Sequence, residues 1–198
     1  MVLHGIWNAD LWVRPLALRL SQAGFDARVF GYHSISGGPS VAIARLAARL
    51  RGGPPTHLVG HSLGGLIALE TLRRQPWLPV PRLVCLGSPL RGSATAKALQ
   101  QRGWGGVLGR SATLLDRGCL PWPGPTEVGM VAGDIPRGLG RVLAELGEDS
   151  DGTVALEETR LPGLTDHCAV HASHTGLAFS PVAAAQAACF LREGRFKR

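Results

Sequence analysis

Ser62 stands in Gly60-His61-Ser62-Leu63-Gly64, between an apolar run with strand character (56–59) and a run with helix character (66–72). Strand, sharp turn and helix form the context in which G-x-S-x-G acts as a nucleophile elbow. A free serine hydroxyl is a poor nucleophile. Held on a strained turn at the carboxyl edge of a sheet, it can give its proton to a histidine and attack a carbonyl. The flanking glycines then have a steric purpose. The nucleophile's backbone is pushed to positive φ, and strand and helix approach so closely that a Cβ at Gly60 or Gly64 would clash.

Such a serine needs an acid, a histidine and an oxyanion hole, with the acid and then the histidine following it along the chain. The acids at loop-like positions after Ser62 are Asp116, Asp134, Glu148, Asp149, Asp151 and Asp166. Asp151 is preferred, because Glu148-Asp149-Ser150-Asp151-Gly152-Thr153-Val154 is a polar turn leading into an apolar stretch. Asp134, which closes a strand-like run at 127–133, is the runner-up, and Asp149 reads as a solvated turn residue. Three histidines follow. His167 and His171 fall on the last strand-like run (165–171), as a surface residue near its start and a strand residue with an ordinary hydrogen bond. His174 lies on the turn beyond it, where a ring can swing over the serine, and is the expected base. Backbone N–H groups of Leu63, after the nucleophile, and of Ile6, on the Gly turn after the first strand, are the expected oxyanion donors.

The elements that must position these groups alternate. Strand-like runs at 1–6, 26–32, 56–61, 82–87, 127–133 and 165–171 are separated by helix-like runs near 10–23, 40–51, 63–74, 93–102, 137–146 and 181–192. Alternation of this kind predicts a six-stranded, mostly parallel sheet with helices on both faces, in one domain spanning 1–198. Residues 103–125 resist assignment. They hold six glycines and three prolines, with Trp104 and Trp122. The segment leaves the carboxyl end of a strand, so it is expected as a mobile flap over the substrate pocket rather than a rigid lid. Trp7, His61, Trp104 and Trp122 are the expected pocket-wall residues.

The formal net charge is +7, carried by 19 arginines and two lysines. The arginines are scattered, with no stripe and no aromatic platforms, which argues against nucleic acid as a partner. Transient attraction to anionic lipid surfaces is the consequence open to such a charge. Cys85, Cys119, Cys168 and Cys189 show neither C-x-x-C nor zinc spacing, so no metal is expected. Cys85 and Cys189 read as small buried hydrophobes, and disulfide pairing is left open by the sequence. Residue 1 already lies in a strand-like run, with no basic leader or apolar export segment. A cytoplasmic location is therefore expected if Met1 is the natural start, and a secreted one if the chain has been trimmed. Oligomeric state is not readable.

His4-Gly5-Ile6, Gly60-His61-Ser62-Leu63-Gly64-Gly65, Gly87-Ser88-Pro89-Leu90-Arg91-Gly92-Ser93, Asp151-Gly152-Thr153-Val154 and His174-Thr175-Gly176-Leu177 together resemble the motif series of small bacterial α/β-hydrolase lipases and esterases, above all the minimal, lidless secreted lipases of Bacillus type and the related lipase/PGAP1-like acyl hydrolases. The resemblance runs over nearly the whole chain in the right order. Ser88 stands where threonine is common in that family, and if Met1 is the natural start the export signal of the secreted members is not expected. The resemblance implies an α/β-hydrolase fold without a large lid. It also implies Ser62 as nucleophile, Asp151 as acid, His174 as base, Ile6 and Leu63 as oxyanion donors, a small acyl ester as substrate, and no cofactor. Thioesterase, acyltransferase and amidase chemistry share the acyl-enzyme and stay open, as does a silent binding protein on the same fold.

Overall fold

The computed structural model describes residues 1–7, 10–138, 144 and 146–198. Six strands form one sheet: β1 (Val2–Leu3), β2 (Val29–Phe30), β3 (Leu58–His61), β4 (Arg82–Leu86), β5 (Glu127–Gly133) and β6 (Asp166–Val170). Their order is β2-β1-β3-β4-β5-β6, and every pairing is parallel. Parallel neighbours need crossovers. These are supplied by α1 (Asp10–Gln22), α2 (Gly38–Leu50), α3 (Leu63–Arg74) and α4 (Ala94–Gln101), with α5 (Ala112–Arg117) and α6 (His174–Leu177) near the site and α7 (Pro181–Glu193) closing the chain.

Both faces of the sheet are covered, and the strands are apolar on both sides as such burial requires. One core packs Leu3, Leu58, Leu83, Cys85, Val128 and Met130 under α2, α3, α4 and α5. The other packs Val2, Val59, Val84, Leu86 and Val131 under α1 and α7. Side chains that alternate in sequence along β3, β4 and β5 thus divide cleanly between two cores, which pins the register.

The chain winds from β1 outward to β2, then returns to place β3 on the opposite side of β1. At that reversal the loops leaving β1 and β3 diverge and open a crevice at the carboxyl ends of the strands. The loop after β1 carries Gly5, Ile6 and Trp7, and the turn after β3 is Ser62. The topology alone therefore brings the expected oxyanion loop and the expected nucleophile to one crevice.

Two expectations change. The segment 103–125 is not irregular throughout. It forms a 3-10 stretch, Gly105–Ser111, kinked at Gly109 and followed by α5, which Gly118 ends. Cys189 is only half-buried, since α7 lies at the surface, whereas Cys85 is fully buried, and burial pushes its thiol up to about 12. All four cysteines are free. The short helix expected at 137–146 falls largely outside the described residues. Among the described residues, no helix is long and apolar enough to cross a membrane.

Candidate active site

Ser62 occupies the sharp turn between β3 and α3, with φ 54° and ψ −123°. Its N–H is held by the Leu86 carbonyl at 2.9 Å. A serine in this region of backbone space carries roughly 1–3 kcal/mol of strain, which the surrounding structure must sustain. The glycines on either side make the turn possible. A Cβ on Gly60 would lie 2.4 Å from the Gly65 nitrogen, and one on Gly64 would lie 2.7 Å from the Leu3 and His4 carbonyl oxygens. The elbow is thus clamped between α3 and the end of β1.

His174 opens α6, capped by Ser173, whose hydroxyl accepts from the Gly176 N–H. Its ring spans two partners. Nδ1 lies 2.7 Å from Asp151 Oδ2, and Nε2 lies 3.0 Å from Ser62 Oγ. The Asp151 carboxylate is buried. Its second oxygen accepts from the Thr153 and Val154 N–H groups at 2.9 and 2.8 Å. The main chain reinforces the pair, since the His174 N–H donates to the Asp151 carbonyl at 2.8 Å. An aspartate carboxylate oxygen accepts rather than donates, and the Asp151 oxygen faces Nδ1. His174 therefore carries its proton on Nδ1 and turns the Nε2 lone pair to the Ser62 hydroxyl. Such an arrangement can move a proton off serine as the oxygen attacks.

A second imidazole lies behind the first. His61 is buried, and its Nε2 sits 2.9 Å from the His174 carbonyl oxygen. A carbonyl only accepts, so His61 is the Nε2–H tautomer. Burial is the chief cause that lowers its pKa from 6.5 to about 4, followed by the proximity of His174. It stays neutral through the physiological range.

The loop after β1 is locked from below. His4 stacks on Tyr32 with ring centroids 4.2 Å apart, and the Tyr32 hydroxyl donates to the His4 carbonyl at 2.5 Å. Above it, Trp7 has φ 58° and its indole N–H donates to the Val107 carbonyl at 2.6 Å, tying the loop to the 103–125 segment. The N–H groups of Ile6 and Leu63 have no protein acceptor among the described residues. Leu63 is the first residue of α3, where a helix leaves its amides free and its dipole favours negative charge.

These groups border a cavity of about 250 Å³. Ile6, Trp7, His61, Ser62 and His174 line it, as expected. Leu99, Leu108, Leu115 and Val154 supply its apolar wall, and Arg137 stands on its rim. None of those five was expected from sequence to line the pocket. Leu108 and Leu115 do lie in the Gly-rich segment, so that segment walls the cavity through its leucines. Its tryptophans do not, which corrects the expectation for both. Trp104 stands 56% exposed on the outer surface. Trp122 is buried in the core beneath α3, because its indole N–H finds the Thr126 carbonyl at 2.8 Å. Of the alternative residues, Asp134 and His171 pair with each other at 3.0 Å on the surface, and His167 lies 2.8 Å from the Thr159 hydroxyl. Asp149 is exposed.

The chain has an α/β-hydrolase fold. It is similar to the mature form of a lipase of Bacillus licheniformis, with 22% identity, a TM-score of 0.78, and coverage of 96% of this chain and 89% of that one. It is also similar to a methylesterase of Arabidopsis, at 17% identity, TM-score 0.58 and 96% of both chains. A metagenomic carboxyl esterase matches at 17% identity and TM-score 0.59, over 87% of this chain and 63% of that one. No family model and no curated protein matches the chain.

Proposed function

We propose that the protein is a serine hydrolase of carboxylic esters, working through Ser62, His174 and Asp151 and an acyl-enzyme intermediate. The observation that carries this reading is the unbroken hydrogen-bonded line from Ser62 Oγ through His174 to a buried carboxylate. Ser62 Oγ attacks the ester carbonyl while its proton passes to His174 Nε2. Asp151 holds the imidazole in the required tautomer and stabilises the imidazolium. Negative charge gathers on the carbonyl oxygen, where the free N–H groups of Ile6 and Leu63 are the oxyanion donors we assign. Collapse of the tetrahedral intermediate expels the alcohol, which takes its proton from His174. Water, activated by the same imidazole, then attacks the acyl-enzyme and releases the acid.

The leucine wall of the cavity fits a short to medium acyl chain. Each methylene it buries adds about 0.8 kcal/mol to transition-state binding until the space is filled. That the named neighbours include a lipase and two esterases supports an ester over a thioester or amide. The test is hydrolysis of p-nitrophenyl butyrate by the native protein and by Ser62→Ala. Ser62→Ala is expected to keep its fold and lose about 10⁴-fold or more in kcat. A folded Ser62→Ala protein that retains most of the activity contradicts the assignment.

A further inference from the structure

Arg137 lies on the loop beyond β5 and lines the cavity next to Ser62. Every other residue described around that cavity is apolar, hydroxyl-bearing, glycine or histidine, so Arg137 brings its one permanent charge. Among the described residues no carboxylate neutralises it. Among the described residues, the two acids close to the site, Asp151 and Glu158, are held by other partners. Asp151 is held by His174 and by the Thr153 and Val154 amides. Glu158 accepts from the Ala94 and Ala155 amides.

The position of Arg137 is fixed by main-chain packing. Its N–H donates to the Ile135 carbonyl at 2.7 Å. Its backbone fills the space beside Gly152, where a Cβ would come within 2.2 Å of the Arg137 carbonyl carbon. Gly152 adjoins Asp151, so the arginine is anchored one residue from the carboxylate that orients His174. Arg137 is exposed to solvent at the rim of the cavity, where its guanidinium can receive an oxyanion. Its planar fork of N–H donors matches two oxygens of a carboxylate or phosphate.

We propose, building on the ester-hydrolase reading, that Arg137 selects esters bearing a second, anionic oxyacid group, with the acyl chain laid along the leucine wall and its charged end at the guanidinium. Half-esters of short dicarboxylic acids are the simplest members of the class, and chains ending in a phosphate share the chemistry.

The experiment compares mono-p-nitrophenyl glutarate with its methyl-capped, neutral counterpart. Native protein should show kcat/KM roughly tenfold higher for the anionic member. That ratio should collapse toward unity in Arg137→Gln, be partly kept in Arg137→Lys, and shrink with added salt. Arg74→Gln, an exposed arginine away from the cavity, should keep the native ratio, which separates a local effect from the overall charge of +7. A ratio near unity in native protein, or one unchanged in Arg137→Gln, overturns the proposal. Calorimetric binding of the same pair to Ser62→Ala reads the preference without turnover. Loss of hydrolysis and loss of anion selection are then seen as separate failures. Replacing glutarate by an acyl chain ending in a phosphate monoester shows which oxyacid is preferred, and a preference for either supports the site.

Discussion

The protein holds two aspartate–histidine pairs built from neighbouring parts of the chain, and they differ in almost everything but their chemistry. Asp134 and His171 meet at 3.0 Å on the surface, with side chains 50% and 85% exposed. Asp151 and His174 meet at 2.7 Å, with side chains 2% and 12% exposed. In the first pair, water competes for both partners, and among the described residues no further hydrogen bond orders the ring. In the second, backbone amides occupy the far oxygen of the carboxylate, His61 holds the histidine main chain, and Ser62 waits on the free nitrogen. The difference is that burial and third partners fix the tautomer and direction of the Asp151–His174 contact, as the proton transfer proposed for it requires.

The comparison breaks most sharply by neutralising each acid in turn. Asp151→Asn should lower kcat by about 10³–10⁴-fold, because the amide favours the wrong imidazole tautomer. Asp134→Asn should change kcat by less than about twofold and stability by less than about 1 kcal/mol, as for an exposed pair. Parallel measurement of kcat and urea midpoints for the two variants checks both halves. Equal activity losses would show that burial does not separate the pairs.

The smaller effect concerns the imidazole behind the buried pair. His61 is held neutral, with its folded pKa lowered to about 4 from 6.5. Between those values the unfolded chain takes up a proton that the folded chain refuses, so stability falls on acidification. From about pH 7 to about pH 4.5 this one group should cost about 2–3 kcal/mol. His61→Gln keeps an N–H donor for the His174 carbonyl but has no proton to gain, so its acid-induced loss should be smaller by that amount. Urea midpoints at the two pH values measure it. Identical losses in native and variant protein would mean that His61 does not contribute.

The buried pair and its serine were legible in the sequence because local chain chemistry dictates them. A tight turn between strand and helix demands glycine around Ser62, and a polar turn before an apolar stretch marks Asp151. The parallel alternation was legible for the same reason. Strand length was less so: β1 and β2 are only two residues each, because the chain leaves the sheet early to build the loops at the crevice. The cavity wall was least legible. Trp104 and Trp122 looked suited to it by composition, yet one faces outward and the other satisfies its N–H at Thr126 inside the core. Arg137 carries no local signal, since its place depends on packing against Gly152.

The central claim is that Ser62 alone is the activated nucleophile. The direct test is reaction with a fluorophosphonate probe, followed by mass mapping of the adduct. The account predicts a single stoichiometric adduct on Ser62, abolished in Ser62→Ala and strongly slowed in His174→Ala. An unlabelled folded protein, or an adduct on another serine, would contradict it.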